Sequence, residues 1–202
     1  MNVTAKSPAC LMLSCCVAAI ALVGCGASVD REERVDVADE ALTENVCPDN
    51  VPANLTPSAD QKLWFVLAAE GVQIYRCAAT ATGYAWAFVA PRADLLDAGG
   101  EVVGFHDAGP TWHADDGSSI RAARIDGAPS PEGAIPWLLL GAVAHSGDGK
   151  MANVTGIQRL DTSGGVAPSS GCDADQVGAI AEVPYTADYF FYKQGEGTRC
   201  GE

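Results

Sequence analysis

Tyr84-Ala85-Trp86-Ala87-Phe88-Val89 is a strand written in full, with rings at every second position and small or β-branched residues between them. One face of such a strand carries bulk, and the other permits close packing. Similar short apolar runs lie on both sides: Leu63 to Leu67, Val72 to Cys77, Val102 to Phe105, Ile120 to Ile125, Val154 to Leu160 and Asp188 to Tyr192. Clusters of Gly, Pro, Asp and Ser punctuate them every ten or so residues, and Asp115-Asp116-Gly117-Ser118 reads as a hairpin turn. Long amphipathic helices are missing. Ala93 to Ala98, Pro136 to Val143 and Asp173 to Ala181 have room for a turn or two of helix, although Trp137-Leu138-Leu139-Leu140 suits a buried strand equally well. The fold class is therefore all-β: a single β-sandwich or β-barrel-like domain with short helical turns.

The 202 residues include 26 Asp or Glu against 12 Lys or Arg, a formal charge of −14, and are 48% hydrophobic. That excess of acid repels phosphates and argues against nucleic acid as a partner. Near the N-terminus an apolar run from Ala9 to Val23, broken only by Ser14, follows Lys6. Its length is that of a signal-peptide core and falls short of a bilayer span. Leu22-Val23-Gly24-Cys25 comes next and resembles the lipobox of bacterial lipoproteins, in which the bond before Cys is cut and the thiol is lipidated. Residues 1–24 are thus expected to be a lipoprotein signal peptide and Cys25 the lipidation site. The partner would be a membrane reached through the lipid anchor. Gly26 rather than Asp follows Cys25, the pattern of export to the outer membrane.

Residues 25–50 are polar and acidic and form an expected tether. The β-domain is expected over 51–193, followed by a polar tail at 194–202. Beyond Cys25 the exported chain retains Cys47, Cys77, Cys172 and Cys200, an even set in an oxidising compartment that allows two disulfides in three connectivities. We favour Cys77 with Cys172, inside the domain, and Cys47 with Cys200, joining the segment that enters the domain to the one that leaves it. Zinc is disfavoured because no Cys-x2-Cys pair exists.

Known catalytic spacings are absent from the sequence: no His-Glu-x-x-His, no Gly-x-Ser-x-Gly, no P-loop and no dinucleotide glycine turn. No cofactor is expected. The three histidines are His106, His113 and His145. His106 to Ser118 is the densest polar stretch. Its imidazoles and carboxylates have the chemistry of a metal site, and Trp112 beside His113 and Asp116 that of a sugar-stacking surface. The plainer reading is a strand, a Gly109-Pro110 turn, a second strand with Trp112 in the core, and a polar hairpin tip. His145-Ser146-Gly147-Asp148 likewise reads as a turn after a buried run, since adjacency in sequence does not make a nucleophile and base.

Several blocks occur in order: Val51-Pro52-Ala53-Asn54-Leu55, Gly71-Val72-Gln73-Ile74-Tyr75-Arg76-Cys77, Gly104-Phe105-His106, Gly109-Pro110-Thr111-Trp112, Asp116-Gly117-Ser118, Ile135-Pro136-Trp137-Leu138-Leu139-Leu140, His145-Ser146-Gly147, Gln158-Arg159, Thr162-Ser163-Gly164-Gly165, Gly171-Cys172 and Pro184-Tyr185-Thr186-Ala187-Asp188-Tyr189. From Val51 to Lys193 the chain resembles the secreted DUF3455 family. The resemblance supports pairing Cys77 with Cys172, places Cys47 and Cys200 outside the shared region, and nominates His106, Trp112, Asp116, His145 and Arg159 as ligand-binding candidates. Some fungal members carry a malate dehydrogenase label, but the βαβ nucleotide unit such an enzyme needs is absent from this sequence. The leading expectation is a lipid-anchored cell-envelope protein whose domain binds a polysaccharide or small ligand without catalysis. The alternatives are a secreted hydrolase using His106, His145 and acids, with or without a metal, and a structural or interaction module of the cell surface.

Overall fold

The computed structural model describes residues 46–200, so the expected signal peptide, Cys25 and nearly all of the acidic tether lie outside the described residues. Eight strands follow one another: β1 (Gln61–Thr80), β2 (Gly83–Leu96), β3 (Val102–Asp107), β4 (Thr111–Ala114), β5 (Ser119–Ala128), β6 (Trp137–Ser146), β7 (Val154–Gly164) and β8 (Ile180–Gln194). Each pairs antiparallel with its successor, and β1 also pairs with β8 from Gln61 opposite Gln194 to Arg76 opposite Ile180. Of the two architectures the sequence left open, this is the barrel. Closure satisfies both edges of the sheet at once.

The alternation of each strand becomes an inside and an outside. On β1, Phe65, Leu67, Ala69, Gln73 and Tyr75 are buried while Trp64, Glu70 and Arg76 are exposed. On β8, Tyr185, Ala187, Tyr189 and Phe191 join the same interior cluster. Phe65 stacks on Phe191 at 4.5 Å, and Trp112 meets Tyr189 edge-on at 5.3 Å. β1 approaches β2 closely at Gly71, which pairs with Ala93. A Cβ there would lie 2.2 Å from the Arg92 carbonyl oxygen, so only glycine fits. Outside, Arg92 and Glu182 pair at 2.7 Å across β1. An apolar interior with a charged exterior reverses the arrangement of a membrane barrel. No helix among the described residues is long and apolar enough to cross a membrane.

A second cluster lies on the outer wall, where Leu55, Leu63, Trp137, Leu139, Leu160, Phe190 and Tyr192 are covered by Cys47, Val51 and Cys200. Gln158 organises the seam: its Nε2 donates to the Leu55 carbonyl at 2.7 Å, and its Oε1 accepts from the Tyr192 hydroxyl at 2.5 Å. Both expected disulfides are present, Cys47–Cys200 and Cys77–Cys172. The first holds the chain's entry and exit together over this seam. The second fastens the 165–179 loop to β1, helped by the Trp86 indole donating to the Ser170 carbonyl at 2.9 Å. Two disulfides are consistent with an extracytoplasmic domain.

Of the three stretches with room for a helical turn, two are strand and one holds a turn. Pro136 to Val143 is largely β6, because its apolar residues serve two buried layers: Leu138 and Leu140 pack with the interior and Trp137 and Leu139 with the outer cluster. Ala93 to Leu96 finishes β2, with a turn after it. Asp173 to Ala181 holds only a 3-10 turn, Ala174–Gln176, capped by the Asp173 side chain accepting from the Asp175 amide. Leu63 to Leu67 and Val72 to Cys77, which read as separate strands, are one strand in β1 because the intervening Ala68 to Gly71 stays paired to both neighbours.

Non-reducing peptide mapping is expected to recover both cross-linked pairs. The Cys77→Ser/Cys172→Ser variant is expected to lose about 3 to 5 kcal/mol in denaturant titration, the scale for closing a long loop.

Candidate functional site

The loops at 81–82, 108–110, 129–136 and 165–179 gather at one end of the barrel. Between them a cavity of about 450 Å³ enters the interior. Phe88, Val89 and Pro91 from β2 and Leu138 and Leu140 from β6 form apolar walls. Register explains the polar residues that interrupt them. Arg159 sits opposite Leu138 on one side and Tyr189 on the other, so one row across β6, β7 and β8 faces the cavity. Gln73 sits opposite Pro91, and His106 opposite Trp112.

His106 and Trp112 stack at 4.2 Å, with Tyr189 edge-on to both. His106 is only 2% exposed and its Nδ1 lies 2.8 Å from the Thr111 carbonyl, so Nδ1 carries the proton and Nε2 is the acceptor. Burial pushes its pKa down to about 3, with the Arg159 guanidinium acting in the same direction. The ring is neutral at pH 7. Burial also raises the Tyr185 and Tyr189 hydroxyls, so both remain protonated donors.

The charged side chains lining the cavity are Arg124 and Arg159, and no acid is among the lining residues. Arg159 donates from Nε at 3.1 Å and Nη2 at 2.7 Å to the Pro136 carbonyl, which orients its guanidinium. Its positive charge reaches Tyr75, His106, Tyr185 and Tyr189. Tyr75 instead is spent on structure, its hydroxyl donating to the Gly165 carbonyl at 2.7 Å. Gln73 Nε2 and Trp112 Nε1 are buried and complete no hydrogen bond, whereas the Tyr185 and Tyr189 hydroxyls engage each other and Tyr189 also engages Arg159. Two unpaired donors beside one cavity call for a water or ligand acceptor.

A family model described as a protein of unknown function, DUF3455, matches residues 57–193. The chain belongs to the DUF3455 family. No curated protein matches it, and no solved structure does. The matched span of this DUF3455 domain runs from just before β1 to the end of β8, so it includes the whole barrel and every residue lining the cavity.

Of the five candidates named from sequence, the DUF3455 barrel brings His106, Trp112 and Arg159 together at the cavity and leaves Asp116 and His145 out of it. Asp116 lies in the turn after β4, at the barrel's other end. Its carboxylate is occupied by the Ser118 amide at 2.9 Å, the Ser118 hydroxyl at 2.5 Å and the Lys150 amide at 2.7 Å, and these bonds lower its pKa. It clamps two turns. His145 is at the foot of β6, its Nε2 2.7 Å from the Val154 carbonyl. His113 faces Asp107 at 3.3 Å and stacks on Phe105. Among the described residues no group of three or more His, Cys, Asp or Glu is placed to hold a metal ion. Gln73, Phe88, Arg124 and Tyr189 are cavity residues that sequence reasoning missed; strand parity from Tyr75 points to Gln73, but nothing local marks the others.

His106 carries a pH signature. Its folded pKa lies below the usual value of 6.5, so its contribution to stability is complete above pH 6.5 and is lost as pH falls towards about 3. Denaturant titrations between pH 6.5 and 4.5 are expected to show a slope approaching about 1.4 kcal/mol per pH unit. In His106→Asn that slope is expected to shrink to the small share of carboxylates such as Asp116, which enters only at the low end of the window. An unchanged slope would mean the imidazole is accessible to protons in the native state.

Proposed function

We propose that this domain is a non-catalytic binding barrel that takes a small ligand into the cavity bordered by the 108–110 and 129–136 loops. The observation that carries the reading is a cavity of about 450 Å³ with apolar walls and two buried donors, on Gln73 and Trp112, left without partners. Its size falls within the range of small-molecule sites, and its composition, mostly apolar with a few polar groups, is theirs too. A polysaccharide chain would need an open groove rather than a recess in a barrel end. The aromatic and disulfide-fastened surroundings favour a site formed before the ligand arrives, which lowers the entropic cost of binding.

A hydrolase at this site is the weaker reading. Its expected partners, His106 and His145, sit towards different ends of the barrel, and His106 is a buried neutral ring with no acid among the residues around the cavity. General acid–base catalysis needs a proton carrier poised near the working pH and within reach of its partner. In the cell, the signal peptide and Cys25 would export the chain and anchor it by lipid in the envelope, at the outer membrane, with the acidic segment as spacer. The domain then samples the extracytoplasmic space for its ligand.

The test uses a neutral polarity-sensitive dye, 1-aminoanthracene, with fluorescence titration. Wild type is expected to bind it at micromolar concentration. Val89→Trp, which adds bulk at the half-exposed lip, is expected to weaken binding by about tenfold while leaving the far-ultraviolet spectrum unchanged. Equal binding in both proteins would remove the cavity from consideration as the site.

A further inference from the structure

We propose that the ligand of this cavity is an organic oxyanion, a carboxylate or phosphate ester on a flat apolar body, held by Arg159 with the buried donors Gln73 and Trp112. The inference rests on the small-ligand reading and names the ligand's chemical class. Charge is the first support. A chain with 26 acids and 12 bases lines this recessed aromatic cavity with two arginines and no acid. Neither arginine is in a salt bridge among the described residues, where the pairs are Arg92 with Glu182 and His113 with Asp107. Arg124 acts on the nearby Asp126, whose carboxylate is itself occupied by the Gly127 amide at 2.7 Å.

Orientation is the second. The Pro136 carbonyl takes the Nε hydrogen and one from Nη2 of Arg159, which fixes the plane of the guanidinium and leaves three of its five N–H groups for other acceptors. Arginine is the side chain whose planar fork matches carboxylate and phosphate oxygens. The Tyr189 opposite it in the ladder brings a buried hydroxyl into the same row.

The third is an excess of donors. Gln73 is 2% exposed and Trp112 1%, and both line the cavity with a polar atom that has no partner. The amide nitrogen of Gln73 and the indole nitrogen of Trp112 only donate. A ligand rich in oxygen acceptors satisfies them, whereas a cation would meet two positive charges and more donors. The stacked His106–Trp112 pair, Phe88, Pro91 and Leu138 suit a flat apolar body behind the anionic group.

Calorimetric titration of the full chain with three probes of one ring system tests this: 1-naphthoate, 1-naphthyl phosphate and the neutral 1-naphthalenemethanol. At least one anion is expected to bind about tenfold tighter than the alcohol at low ionic strength, an advantage that shrinks at high salt. Whichever anion binds better identifies the oxyanion. In Arg159→Gln the preferred anion is expected to fall about tenfold, and the alcohol to stay within about twofold. If that variant does not fold, Arg124→Gln on the rim is read instead, with the same selective loss expected in smaller measure. Equal affinity for all three probes overturns the oxyanion and leaves the small-ligand site standing. Anion preference that survives both arginine variants overturns the assignment to this cavity. Binding of none of the three, with aminoanthracene also failing, overturns both readings.

Discussion

Pairing between the first and last strands, from Gln61 opposite Gln194 to Arg76 opposite Ile180, turns an eight-stranded ribbon into a barrel. Without that ladder β1 and β8 would each leave a long edge of unpaired amides and carbonyls. Closure removes the edges and gives every strand one enclosed and one exterior face. The interior then has to be filled, and Phe65 and Phe191 fill it away from the cavity while Trp112 and Tyr189 border the cavity itself. Where those rings stop, the cavity begins. The site is the part of the barrel that large side chains do not occupy.

The cross-links serve the same closure. Cys47–Cys200 joins the segments flanking β1 and β8, over an outer cluster that Gln158 ties to Leu55. Cys77–Cys172 holds the connection into β8 against β1, while Gly178 donates to the Cys77 carbonyl and Cys77 to that of Ala179. The loop beside the cavity is therefore bound to the ladder that makes the barrel. Gly165, at φ 74°, completes the corner: its amide reaches Pro184 and its carbonyl accepts from Tyr75, with Ile135, Tyr185 and Gln73 too close to admit a Cβ. A left-handed backbone and a crowded flank both demand glycine there.

Much of the fold was legible because strands announce themselves locally. The ring–small alternation from Tyr84 to Val89, the Asp115–Ser118 turn and the aromatic run ending in Tyr192 each carry a two-residue period or a turn signature that needs no knowledge of the rest of the chain. The Trp137–Leu140 run was ambiguous because it is buried on both faces, inside the barrel and beneath the outer cluster, and so shows no period. At the site, three candidates converge and two do not, although all five come from polar blocks of similar appearance. Arg159 lies within a ladder, opposite Leu138 and Tyr189, whereas Asp116 lies in a turn at the other end of the barrel, and that is a matter of topology and register. Arg124 and Phe88 gave no local sign, since an exposed-looking arginine or ring becomes a cavity wall only when a distant strand stands opposite.

By itself the sequence determined that the chain forms a β-domain with two disulfides, because hydrophobic period, turn chemistry and cysteine number are properties of short stretches and of composition. It did not choose between sandwich and barrel. That choice depends on whether β1 reaches β8 across more than a hundred residues, which no local pattern encodes. The same long-range closure decided which polar residues share a cavity, left its donors unpaired and gathered two arginines where no acid follows them. Strand parity says which face a side chain takes; only the closed sheet says what it faces.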